Sequence, residues 1–90
     1  MKQIQPTPIW YNGNLINANI LVFFVINDNL SSQATFYYSL FSGNENELDI
    51  KLQEGNLIMD GFDYQAYSTS PDSNAYAFNW GATKLNLTII

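Results

Sequence analysis

The sequence predicts a mainly β, α+β domain: an antiparallel sheet of five or six strands with one C-terminal helix laid on a face. Three observations point there. Short runs rich in β-branched and aromatic residues recur along the chain. Turn chemistry (Asn12-Gly13, Asn27-Asp28-Asn29, Gly43-Asn44-Glu45-Asn46) separates those runs at short intervals. After Ser70-Pro71-Asp72, apolar residues change to spacings of three and four.

In order, residues 1–8 (MKQIQPTP) read as an extended N-terminal arm, because each proline fixes its own backbone and extends the residue before it. Residues 9–90 then form a single β-rich domain. Ile9-Trp10-Tyr11 is a short strand that turns at Asn12-Gly13, the strongest short hairpin signal. Residues 18–27 (ANILVFFVIN) place Ile20, Val22, Phe24 and Ile26 on one face and Leu21, Phe23 and Val25 on the other, the pattern of a central strand covered twice. Residues 33–42 follow with Phe36, Tyr38 and Leu40 on one face and Thr35, Tyr37 and Phe41 on the other. Leu48, Ile50 and Leu52 alternate with Asp49, Lys51 and Gln53, a strand with one wet face. Glu54-Gly55 reads as a tight turn into a further strand over 56–60, which Gly61 stops. For the helix over 71–84, Ser70 is the expected cap and Pro71 the first helical position, with Ala75, Phe78, Ala82 and Leu85 along one face. Tyr76, Phe78 and Trp80 also alternate, so a strand competes there. Leu85 to Ile90 (LNLTII) has the β propensity to return to the sheet.

Composition excludes more than it names. Of 90 residues, 12% are charged, against about 25% in a typical soluble domain, and the net charge is −5. The only cations are Lys2, Lys51 and Lys84; there is no Arg, His or Cys. Three scattered lysines cannot form the basic stripe that phosphate backbones or anionic membranes require. Without His and Cys the usual nucleophile–base pairs and transition-metal sites are missing. No disulfide can form. The opening residues carry one lysine and no apolar h-region, so they do not read as a secretory signal. The longest apolar run, Leu21 to Ile26 with Ile20 before it, is far too short to span a bilayer.

What remains for catalysis is a carboxylate pair. Asp60 and Asp63 flank Gly61, but residues of this kind more often serve as turn and helix-cap groups. Calcium could draw oxygens from the clusters at 27–29, 44–49 or 60–63, none of which has the helix–loop–helix spacing. No enzyme activity, cofactor or metal is therefore expected. The fourteen aromatics and twelve asparagines are the informative set. Trp10, Tyr11, Tyr64, Tyr67, Tyr76 and Trp80 divide among core packing, interface anchors and a sugar-stacking face. An aromatic, weakly charged surface favours burial against other protein. The assembly surface is expected at Trp10, Tyr11, Phe23, Val25, Tyr37 and Trp80, positions that a single helix covers least.

The stretches NDNLSSQATFYYSLF, EGNLIMDGFDYQAYS and LNLTII resemble small virion-associated proteins of tailed bacteriophages. The resemblance covers about two thirds of the chain and carries no catalytic or binding motif. It implies a capsid, head-fibre or tail component that binds itself as a homo-oligomer, or a larger capsid or tail protein. Its implied location is the virion, and the host cytoplasm before assembly. Two alternatives stand beside it. One is a small carbohydrate-binding module, with a glycan as partner. The other is an acidic inhibitor of a host protein, for which eight acids spread along the chain make a poor phosphate mimic.

Overall fold

The computed structural model describes residues 1–43 and 47–90. The fold is mainly β, a four-stranded antiparallel sheet carrying two helices. The strands are β1 (Lys2–Tyr11), β2 (Asn14–Asp28), β3 (Gln33–Gly43) and β4 (Leu48–Asp60), in the spatial order β1-β2-β3-β4. The helices α1 (Gly61–Thr69) and α2 (Ser73–Lys84) follow. Five or six strands and one helix were expected, and each difference has a local cause.

The arm expected at residues 1–8 is strand: Lys2 pairs with Leu21, and Thr7 and Pro8 with Ala18 and Asn17. A break in register between Gln3 and Thr7 accommodates Pro6, which has no N–H to give a ladder. At the far end of the hairpin, Asn12 and Gly13 have φ of 50° and 85°, the mirror-image turn that suits strand twist.

The turn expected at Glu54-Gly55 does not form, and β4 runs straight through it. Gly55 pairs with Tyr38, and a Cβ there would lie 2.8 Å from the Tyr38 hydroxyl oxygen. The missing side chain makes room for a ring instead of a bend. Two predicted strands are thus one. Between β2 and β3, Asp28 and Asn29 build the turn with their side chains. Asp28 Oδ1 accepts from the Leu30 N–H, and Asn29 Oδ1 from those of Ser31, Ser32 and Gln33. Leu30 sits at φ 59°, a conformation costly for a branched side chain that these bonds hold in place. Of the polar loop expected at 43–46, all but Gly43 lies outside the described residues.

The helix after Pro71 starts two residues later than expected. Its cap is Asp72, which accepts from the Ala75 N–H at 3.0 Å, while Ser70 Oγ accepts from the Asp72 N–H. The competing strand does not form. The buried side of α2 is Ala77, Gly81 and Ala82, with Ala75 exposed, so the predicted face is rotated. Small residues let the helix sit close to the sheet, where the rings of Phe23 and Phe36 fill the space. These rings stack with centroids 5.0 Å apart and planes 6° apart. Around them Ile4, Leu21, Leu40, Met59 and Tyr64 complete the core.

The stretch after α2 does return to the sheet, as a bridge instead of a full strand. Ile4 pairs with Ile89 on the outer edge of β1. Gln5 N–H donates to Thr88 O at 2.8 Å, and Ile90 N–H to Gln3 O at 3.0 Å. Near the β1–β2 turn, Ile9, Tyr11 and Ile16 pack against the same core as Ile50, so the sheet curls over its helical side. The molecule measures 41 × 22 × 20 Å.

A Cβ at Gly81 would lie 2.7 Å from the tip of the Phe23 ring, which Phe36 prevents from retreating. Gly81→Ala gains about 1 kcal/mol in helix propensity but overpacks the core by about 1–3 kcal/mol. The variant is expected to lose stability in urea denaturation, and a second change, Phe23→Leu, to restore part of it.

A candidate protein-binding surface

Of the two carboxylates singled out for chemistry, Asp63 is bonded within the fold. Asp63 Oδ2 accepts from Trp80 Nε1 at 3.1 Å, joining α1 to α2. Asp60 is the N-cap of α1, without a side-chain capping bond. Among the described residues no three acidic side chains gather as a metal site. The stretch 44–49 lies partly outside the described residues. Among the described residues no helix is long and apolar enough to cross a membrane.

The register fixes which side chains occupy the sheet face away from the helices. Val22 and Phe24 of β2, Tyr37 and Phe41 of β3, and Lys51, Glu54 and Ile58 of β4 share it. At its middle Tyr37 Oη donates to Glu54 Oε2, and Lys51 Nζ donates to the same oxygen at 3.0 Å. The bonds from Tyr37 and then Lys51 hold the Glu54 carboxyl below its ordinary pKa. Hydrogen bonds to Glu54 and Tyr37 raise that of Lys51. Phe24 lies against Tyr37, ring centroids 5.2 Å apart. Apolar and aromatic side chains on this face surround a neutralised ion pair, with Thr35, Ser39 and Asn56 among them.

One end of the molecule exposes most. Phe24, Val25 and Ile26 close β2, Leu30 is in the turn, Ile58 pairs with Thr35 near the end of β4, and Phe62 opens α1. These six large apolar side chains are between 43% and 89% exposed. The concentration is what matters, since scattered exposed apolar residues are normal on any surface. Beside them a cavity of about 130 Å³ opens between β2, β3 and the helices, lined by residues that include Phe24, Val25, Tyr67, Asn74 and Phe78.

The six residues expected at an assembly surface fall in separate places. Trp10 is 70% exposed beside the β1–β2 turn, opposite Leu15. Tyr11, next to it, is half-buried against the core. Val25 is exposed and lines the cavity, and Tyr37 lies on the helix-free face. Trp80 is half-buried against Phe23 and Phe36, at 6.4 and 5.9 Å. Phe23 is a correction. It is 6% exposed and sits in the chain's own core, because α2 descends onto its ring at Gly81 and flanks it with Phe78 and Trp80. Sequence reasoning passed over Phe24, Ile26, Ile58 and Phe62. For Phe24 and Ile26 the signal was an apolar run continuing almost to the end of β2; Ile58 and Phe62 carried no comparable one.

Near that end, Tyr64 Oη donates to Asp28 Oδ1 at 2.7 Å, tying α1 to the β2–β3 turn. This bond, then burial, raises the Tyr64 pKa above its ordinary value, and burial raises that of Tyr67. A phenol raised on folding lends stability that is complete below its unfolded pKa and lost as pH rises through its folded one. Unfolding followed from pH 9 to 11.5 should therefore show stability falling above about 10. Tyr64→Phe should start lower and fall less steeply. Equal slopes would remove the bond from any role in stability.

Searches with the whole chain find no matching family model, no matching curated protein and no matching solved structure, so the site stands on its own geometry.

Proposed function

We propose that this chain is a non-enzymatic structural or accessory subunit of a bacteriophage virion, in the capsid, a head fibre or the tail. It works through contacts with itself or with a larger capsid or tail protein. The observation that carries the reading is the apolar end, where Phe24, Val25, Ile26, Leu30, Ile58 and Phe62 stand in water together. A chain with 12% charged residues has little ionic surface to keep such a patch apart from its neighbours. The patch adjoins a helix-free sheet face whose ion pair is internally neutralised, so a partner can cover both without burying a lone charge. The virion assignment rests on the sequence resemblance. The chain would reside in the host cytoplasm until assembly.

Solution mass by chromatography with light scattering, over a range of concentration and salt, tests the contact surface. The wild type should form a stable oligomer. Ile26→Asp and Ile58→Asp, both at exposed positions, should return it to monomer with an unchanged circular dichroism spectrum. A wild type that stays monomeric throughout would confine the proposal to a larger partner. Absence of the chain from purified virions, probed by mass spectrometry, would end the virion reading.

A further inference from the structure

The two ends of the molecule are unlike, and each suits the other. Beside the β1–β2 turn, Trp10 and Leu15 are cross-strand partners, 70% and 67% exposed. Residues 9–16 (IWYNGNLI) around them carry no charge. At the opposite end the cavity of about 130 Å³ is lined by Phe24, Val25, Phe36, Tyr67, Asn74 and Phe78 among others, again with no charged side chain. Along β2, Leu15 and Phe24 are nine residues apart, roughly 30 Å of strand. No copy can place its own Trp10 in its own cavity.

We propose that Trp10 of one copy seats in the aromatic cavity of the next, joining copies of this chain head to tail. The inference rests on the self-association read above and names its geometry. Size supports it: an apolar cavity of about 150 Å³ holds one benzene. The space here therefore takes a single six-membered ring, such as the benzo half of an indole. Trp is also the residue type most enriched as an interface anchor in a desolvated pocket. Tyr67 and Asn74 bring polar atoms to a lining that is otherwise apolar, where an indole N–H could find an acceptor.

Charge supports it as well. Copies with a net charge of −5 repel each other, least where uncharged groups meet, and residues 9–16 and the cavity lining hold no charged side chain. Lys2, 5.7 Å from the centre of the Phe78 ring, adds a positive charge beside the cavity. The contact joins different surfaces, so it repeats from copy to copy until it closes a ring or runs on as a filament. One buried aromatic side chain brings about 150–250 Å², which makes each junction small and its association concentration-dependent.

Two variants, each disabling one half of the contact, test this. Trp10→Ala removes the anchor and leaves the cavity. Asn74→Trp fills the cavity from an exposed position and leaves the anchor, with Val25→Asp as a second cavity variant should the first misfold. Circular dichroism first confirms that each is folded. In light scattering each alone should stay near the 10.2 kDa monomer, its association weakened about thirtyfold or more. An equimolar mixture should form a two-chain species, since the anchor of one variant and the cavity of the other remain intact. Trp10→Ala assembling like the wild type would overturn the head-to-tail contact while leaving self-association in place. A mixture that remains monomeric would overturn it too. A wild type that is monomeric at every concentration would remove self-association altogether. A cavity that takes up free indole in such a monomer would make it a small-molecule site instead.

Discussion

The fold depends on one stacked pair of rings. Phe23 of β2 and Phe36 of β3 lie flat on each other at 5.0 Å, and everything on the helical side is arranged around them. Phe78 and Trp80 of α2 tilt against Phe23, and Tyr67 of α1 meets Phe36 edge-on at 5.5 Å. The pair therefore positions both helices at once. Gly81 is its counterpart, because only a residue without a side chain lets α2 descend onto the Phe23 ring. Gly55 plays the same part for Tyr38 within the sheet. With no disulfide and one exposed ion pair among the described residues, aromatic packing supplies the cohesion that larger domains draw from broader cores.

Concentrating the core in this way also explains what is left uncovered. The helices are short, 9 and 12 residues, and they lie over one face of a sheet whose longest strand has 15. A helix rises about 1.5 Å per residue and a strand about 3.3 Å, so neither helix can follow β2 along its length. The hairpin carrying Trp10 and the end of β2 carrying Val25 extend beyond the cover. Exposure of Trp10 and Val25 follows from this mismatch in reach, whereas Phe24 and Ile58 are exposed because their face of the sheet carries no helix.

Much of the sheet was legible in the sequence. Alternation assigned the two faces of β3, and of β2 as far as Val25, correctly: Phe36, Tyr38 and Leu40 do face the core, and Tyr37 does not. The register break between Val25 and Asn27 ends it there, and β2 is covered on one face, not two. Asn12-Gly13 turns as its backbone preferences require, and Asp28 and Asn29 shape the second turn through their side chains, with Leu30 at the positive φ. Gly55 misled because glycine marks both a turn and the close approach of a ring, and only the cross-strand partner distinguishes them. Helix α1 was not read at all. Asp60 and Asp63 were recognised as capping types, but Tyr64 and Tyr67 are too few to declare a period over nine residues. Phe23 looked available to a partner because the pattern did not show that Gly81 seats α2 directly on its ring. The candidate surface was half legible for that reason: Trp10 and Val25 are exposed and Tyr37 partly so, whereas Phe23 is claimed by α2.

The bridge between Ile4 and Ile89 has a kinetic consequence. Neighbouring strands of the meander meet across short turns and can pair early, at little cost in loop closure. The outer edge of β1 waits for a contact that spans almost the entire sequence. Until residues 88–90 dock, that edge presents free N–H and C=O groups to any other extended chain. Residues 88–90 thus act as a delayed seal. The period of greatest exposure to strand exchange falls during folding, before this long-range contact closes.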